Sequence, residues 1–462
     1  MNNFINIIKN IWLIKELRNK IIFTLFLIIV YRLASFITIP SINLIEVENI
    51  LETYQNNSNN KQTAGILSLL SSFTGGAISR ASILSLGIMP YISASIVVQL
   101  MSMVIPYIKK LQSDGEFGRR LMTQITRFFT IGISIFQSIF YLSTLVKVFL
   151  PIDHYFNAYS INPIENTFWF YIPNIFILTT GPIFSMWLGE KITEKGIGNG
   201  ISILIMIGIL SDLPTAIIGE FTLQTSYILF LCEIFIWLLI IVLCIMLINS
   251  IRKVHIQYVG KEYRGVKNNF IHSSSKSNIP LKINSAGVMP IIFSQALMFI
   301  PSLFNKVLDE KSELKIFFNG FSDIFTWQYN VLFATLIIIF TFLYTAISIP
   351  VNQISEDLKR SGGLIPNIKP GKKTEEYLDE ILSRITLPGA ILLALIAVLP
   401  ALVKTIGLTV TDKFTLFFGG TSLLVMVGVL LDIIQQIDTY LVNHHYEKLM
   451  NNKLSNKIND SI

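Results

Sequence analysis

"FTGGAISRASILSLGIMPYISASIVVQL", Phe73 to Leu100, joins two unlike halves. From Ile83 onward it is an apolar run fit for a membrane-spanning helix. Before that stand a Gly-Gly pair, several hydroxyl side chains and Arg80. An arginine at the centre of a spanning helix costs about 2.5–3.5 kcal/mol on insertion scales, so Arg80 must face water or a carbonyl. Gly75 and Gly76 open backbone conformations that other residues avoid. A short, breakable segment set directly before a span raises the choice between a plain membrane anchor and something that opens.

The rest of the chain sets the context. Of its 462 residues 52% are hydrophobic and 14% charged, against roughly 25% charged in soluble domains. That places it among polytopic membrane proteins. A span needs ~20 mostly apolar residues, and ten candidates meet this: 21–40, 82–105, 122–147, 167–188, 200–219, 225–249, 285–304, 329–350, 385–403 and 414–442. The second and seventh open on Gly, Ser and Pro, and the fifth carries Asp212 and Pro214 near its end. Such breaks survive in a bilayer only where the backbone is buried in protein or lines water.

Lysine and arginine set the orientation. With the amino terminus cytoplasmic, 26 of the 36 basic residues fall in cytoplasmic segments and 6 in the opposite loops. Both termini are then inside. The expected organisation is an amphipathic basic segment over 1–20 leading into an uncleaved span, a first half over 21–222, a second half over 223–442, and a cytoplasmic tail over 443–462. Two internal loops, 250–284 and 351–384, are long and basic. They either fix topology or dock a large partner. Within the second, "EDLKRSGG" predicts a helix ending at glycine, "LIPNIKPGKK" a Pro/Gly turn, and "TEEYLDEILSRI" a helix starting at Thr374. Five spans per half is the geometry of an inverted repeat, although the halves show no evident sequence similarity.

Chemistry is sparse. There is no HExxH, GxxxxGK[ST] or GxGxxG motif and no Cys/His cluster, so no metal, nucleotide or other cofactor is expected. Cys232 and Cys244 share one apolar run and suggest neither a disulfide framework nor a zinc site. His154, His255, His272, His444 and His445 lie in loops or at helix ends, without a nucleophile to serve. Apart from Asp212 near the end of the fifth span, Glu233, Asp432 and Asp438 are the acidic residues inside spans, fewer than an ion-coupled transporter normally carries. This weighs against a secondary transporter and an intramembrane enzyme.

The opening stretch resembles the second-helix region of the SecY family, the pore subunits of the bacterial protein translocase. So do "MWLGEKITEKGIGNGISI" (186–203), "PLKINSAGVMPIIF" (280–293), "LKRSGGLIPNIKPGKKTEEYL" (358–378) and "FFGGTSLLVMVGVLLD" (417–432), in the family's order across nearly the whole chain. The resemblance implies an all-α polytopic membrane protein. Its ten transmembrane helices form two pseudo-symmetric five-helix halves around a central hourglass pore. It implies a passive pore that translocates unfolded polypeptides across the bacterial inner membrane and releases transmembrane segments sideways into lipid.

Residue by residue, the resemblance places a pore ring at Ile88, Ile92, Ile201, Ile205, Ile292 and Val425, the last where the family often has Ile. It places a plug over about 66–81, with Ser72, Phe73, Gly75, Gly76 and Arg80. A lateral gate of helices 2, 3, 7 and 8 would include Gln124 at the start of helix 3, with Asn284 and Ser285. Docking of the ribosome and the SecA motor falls to Arg252, Lys253, Arg264, Lys359, Arg360, Lys369, Lys372 and Lys373, with Lys369 where the family commonly has Arg. SecE-like and SecG-like subunits, secretory and membrane-protein precursors and membrane lipids complete the implied partners. Physically, an aliphatic ring can dewet when closed and deform around a threading chain. Polar pairs at a helix seam, worth about 0.6 kcal/mol each, are weak enough to part.

Overall fold

The computed structural model describes residues 12–40, 42, 74–78, 80–149, 167–224, 226–258, 276–295, 297–298, 320 and 324–459. The described chain is mostly helical and divides into two compact units, residues 1–222 with 425–462, and residues 223–424.

In the first unit α1 spans Lys15–Ala34. The sequence sets the first span at 21–40, but the helix stops at Ala34. "FITIP" is rich in β-branched residues, and Pro40 cannot continue a helix. Residues 37–39 instead run back along 81–83. Ile39 N donates to Ala81 O (3.0 Å), Ile83 N donates to Ile37 O (2.9 Å), and Thr38 bridges Ser82. Ile39, Ile42, Ala81, Leu142, Leu145, Val146, Phe170 and Leu178 form an apolar cluster around this crossing. Residues 83–88 are turn, and α2 begins only at Met89, running to Val104 with Pro90 in its first turn. Ile105 is extended before Pro106, as a residue preceding proline prefers, and this separates α2 from α3 (Pro106–Ser113). Then follow α4 (Gly115–Phe149), α5 (Thr167–Lys195) and α6 (Gly200–Leu223). Gln124 accordingly lies ~2.5 turns inside α4 rather than at its start.

The second unit opens with α7 (Tyr227–Asn249). Its buried Glu233 accepts a hydrogen bond from the Gln224 amide, which meets part of the cost of a carboxylate in an apolar run. Strand β1 (Ile251–Tyr258) pairs antiparallel with β2 (Lys276–Lys282). Residues 289–295 are helical, and the rest of the seventh candidate span lies mostly outside the described residues. Next come α8 (Trp327–Ser348), α9 (Val351–Ser361), β3 (Gly363–Leu364), α10 (Lys372–Ile406) and α11 (Asp412–Thr415). The last helix, α12 (Gly420–Asn459), starts in the second unit and continues in the first.

Every candidate span has helix within its bounds. Among the described residues, seven of the helical stretches are long and apolar enough to cross a membrane; they lie in α4, α5, α6, α7, α8 together with α9, α10 and α12. The helix expected at Thr374 begins two residues earlier, at Lys372, and does not stop at its loop. It runs unbroken through Pro388 and Pro400 to Ile406, 35 residues in all.

The loops hold one feature absent from the sequence reading, a three-stranded sheet in the order β2-β1-β3. Gln257 pairs with Leu364 and Tyr258 with Gly363, so segments 250–284 and 351–384 form a single module. Val254, Leu281, Ile365, Leu378, Ile381, Leu382 and Ile385 close its core. The helix from "EDLKRSGG" ends as expected at Gly362, in the left-handed conformation (φ 72°) that glycine adopts without penalty.

Candidate functional site

The candidate plug segment is described at residues 74–78 and from 80 onward; Ser72 and Phe73 lie outside the described residues. Its root is held by the backbone bonds of residues 81–83 to residues 37–39. Its tip, at residues 74–78 and 80, is held differently. Tyr141 Oη donates to Ile78 O (2.9 Å) from α4. The Arg80 guanidinium stands 4.6 Å from the centre of the Phe36 ring, and Arg32 stands 5.6 Å from the same centre. Gly75 (φ 63°) and Gly76 (φ 78°) are both left-handed. A β-carbon at Gly75 would collide with the Arg32 guanidinium and the Ser211 hydroxyl. The Gly-Gly pair is thus needed for both conformation and close approach.

The ring candidates of the first unit sit at helix starts. Ile88 is the residue before α2 and Ile92 is one turn on, with Ile92 N donating to Ile88 O (3.1 Å). Ile201 and Ile205 occupy the first turns of α6. That helix start is anchored by its glycine loop: Gly200 N donates to Thr193 Oγ1 (2.9 Å), Ile197 N to Thr24 Oγ1 (3.2 Å) and Gly198 N to Gln436 Oε1 (2.8 Å). Ile88, Ile92, Ile205 and Val425 are buried, and Ile201 and Ile292 are half-buried. Residues i and i+4 share a helix face, so each pair presents two aliphatic side chains together.

Of the gate candidates, Gln124 is exposed on α4. Asn284 and Ser285 lie in the turn before helical residues 289–295. Ser285 Oγ donates to Lys282 O (2.6 Å). Asn284 is 5% exposed, and its Oδ1 has no hydrogen-bond partner. A further cross-helix tie in the first unit escaped the sequence reading. Arg127 of α4 makes a two-pronged pair with Glu190 of α5, Nε to Oε1 at 3.1 Å and Nη2 to Oε2 at 2.5 Å. A basic residue inside an apolar run was the available signal, but its partner is 63 positions away.

Among the basic candidates, Arg252 and Lys253 are exposed on β1, Lys359 and Arg360 in the last turn of α9, and Lys369, Lys372 and Lys373 around the start of α10. The turn bearing them is pinned. Ser355 Oγ donates to Gly371 O (3.0 Å) and Thr374 Oγ1 donates to Lys369 O (3.0 Å). The sheet therefore gathers on one module the charges that the sequence distributes over two loops. Arg264 lies outside the described residues.

Known proteins match this architecture along nearly its full length. The SecY family model matches residues 82–434. The "Protein translocase subunit SecY" of Buchnera aphidicola subsp. Schizaphis graminum is 38% identical over 94% of this chain and 95% of its own. That of Thermotoga maritima is 36% identical over 95% and 96%, and that of Escherichia coli K12 is 34% identical over 94% of each. Two solved structures share the fold at 14% identity, each covering 91% of both chains. They are "The structure of a protein conducting channel", with a TM-score of 0.57, and "Sec61 in the Canine ribosome-channel complex from the endoplasmic reticulum", with a TM-score of 0.54. On the length and identity of these matches, the chain belongs to the SecY family.

Proposed function

We propose that this chain is the central subunit of a protein-conducting channel, passing unfolded polypeptide across a membrane and releasing apolar segments sideways into lipid. The observation that carries the reading is the glycine-turned segment of residues 74–78 and 80–88. It has a backbone-stitched root, a tip held by side chains, and two aliphatic residues on the helix start that follows. Membership of a family whose relatives are named as protein translocase subunits supports the same function. So does a solved structure of the same fold described as showing that a plug domain maintains a membrane seal.

In this reading Ile88, Ile92, Ile201, Ile205, Ile292 and Val425 contribute to the aliphatic ring, and residues 66–81 to the plug. Gln124, Asn284 and Ser285 serve the gate. The pore is passive. A SecA-like motor ATPase or a ribosome drives the substrate, and SecE-like and SecG-like subunits accompany it. The exposed basic residues of the sheet module suit phosphate-rich or acidic partners, whose binding would weaken steeply with salt. The membrane is the bacterial inner membrane with both termini cytoplasmic, supported by the asymmetry of basic residues.

The test is reconstitution of the purified complex into liposomes. Deleting residues 66–80 is expected to open an ion leak, and charging Ile92 and Ile205 together is expected to break the seal and lower secretion. A vesicle that stays tight in both variants, or that shows saturable small-solute flux instead, overturns the channel reading.

A further inference from the structure

An aspartate in a spanning helix is expensive and marks function by default. Asp212 lies in "ISILIMIGILSDLPTAIIG", ~18 Å along α6 from its start at 1.5 Å per residue. Three charged residues meet there. Arg32 comes from α1, Arg80 from the plug tip and Asp212 from α6. Both guanidinium groups stand over the one Phe36 ring, at 5.6 and 4.6 Å from its centre. The point where a Gly76 β-carbon would sit is 3.3 Å from Arg80 Nη2 and 3.7 Å from Asp212 Oδ1. Nη1 of Arg32 and Nη1 of Arg80 are both buried without a hydrogen-bond partner. Two cations thus stand over one aromatic ring, with the Asp212 carboxylate close to the movable one.

Like charges that converge on one ring repel, and screening is weak where their nitrogens are buried. The ring attracts each cation but does not cancel their repulsion, whereas a nearby carboxylate offsets it. Arg32 is fixed on a helix, and Arg80 rides on a glycine-hinged tip. The carboxylate of Asp212 therefore decides where the movable cation rests.

We infer that Asp212 is the positioning residue for the plug: its charge keeps Arg80 on Phe36 beside Arg32, and without it the like charge of Arg32 drives the tip outward. This rests on the channel reading above and adds a residue and a sign to it.

The test uses the full channel complex in liposomes, with ion leak as the readout and deletion of residues 66–80 as the reference for an absent plug. Asp212→Asn, isosteric but neutral, is expected to raise leak several-fold toward that reference, while Asp212→Glu stays near the parent. Arg32→Gln removes the repelling charge and is expected to leave leak at or below the parent. In an Arg32→Gln background, Asp212→Asn is expected to lose most of its effect, which a general loss of packing would not do. A cysteine pair at positions 78 and 141 gives a second readout, with slower cross-linking expected in Asp212→Asn. If the deletion leaks but Asp212→Asn is as tight as the parent, or leaks equally with and without Arg32, the assignment to Asp212 is overturned and the plug stands. If the deletion itself does not leak, the plug reading fails and this inference with it.

Discussion

Two turns, one in each unit, are built to the same plan 200 residues apart. Ser85-Leu86-Gly87-Ile88-Met89-Pro90 and Ser285-Ala286-Gly287-Val288-Met289-Pro290 both lead into a helix whose first turn holds the proline. In each the serine hydroxyl donates to the carbonyl three residues back, Ser82 O at 2.5 Å and Lys282 O at 2.6 Å. The glycines are left-handed, with φ of 52° and 65°. Their amides close the turn on Leu84 O (2.8 Å) and Asn284 O (3.4 Å). Ile83 N is bonded to Ile37 O and Ile283 N to Ser250 O, in both cases the chain just after a preceding helix. A glycine of a later helix then packs on the isoleucine carbonyl, Gly181 of α5 on Ile83 and Gly389 of α10 on Ile283.

The turns differ in what leads into them and in one buried side chain. The first follows a glycine-hinged tip, the second the strand β2. At matching positions the first buries Leu84 and the second buries Asn284 with an unsatisfied oxygen. The plan fixes a helix start, and the departures from it set the two turns apart. In the channel reading proposed above the first would carry the plug, while the second buries an unsatisfied polar oxygen at a cost.

The largest expected effect comes from the packing glycines. A β-carbon at Gly181 would sit on the Ile83 carbonyl oxygen, whereas one at Gly389 would stand 3.0 Å from Ile283 O. Gly181→Ala should therefore destabilise by about 1–3 kcal/mol, typical of overpacking, and Gly389→Ala by less, in thermal unfolding of the detergent-solubilised protein. Equal losses would break the ranking.

Next is Asn284→Leu, which installs the first turn's side chain in the second. Removing an unsatisfied buried oxygen should stabilise that turn by ~1–3 kcal/mol and shift gating, read as altered export of weak signal sequences. Unchanged export would separate the orphan oxygen from any gating role.

Gly87→Ala and Gly287→Ala share the left-handed penalty of ~1–2 kcal/mol. Only Gly87 also meets a neighbour, Thr74 Cγ2 at 2.9 Å, so its variant should unfold at the lower temperature of the two. The smallest difference is between Ser85→Ala and Ser285→Ala. A net hydrogen bond is worth about 0.5–1.5 kcal/mol, and Ser85 also donates to Ala77 O at 3.2 Å. Its loss should exceed that of Ser285, and the reverse order would sharpen the comparison against the first unit.

Much of this was legible along the chain. Apolar runs located the helices, because a helix satisfies its own backbone within one segment and needs no distant partner. Gly75, Gly76 and Gly362 announced left-handed turns for the same local reason. Boundaries drifted where long-range pairing competed, as at residues 35–40, where hydrogen bonds to 81–83 replace the helix that hydropathy extends.

Composition and local pattern alone determined a polytopic membrane chain, the short segment before α2 and its unaffordable arginine. Tertiary structure alone decided that Arg80 shares Phe36 with Arg32 beside Asp212, that two basic loops close into one sheet, and that the Asn284 side-chain oxygen is left without a partner. The first two bring together groups 44 to 180 positions apart. Neither propensity nor periodicity carries that information, since the free energy of such a contact exists only once the chain between its ends has folded.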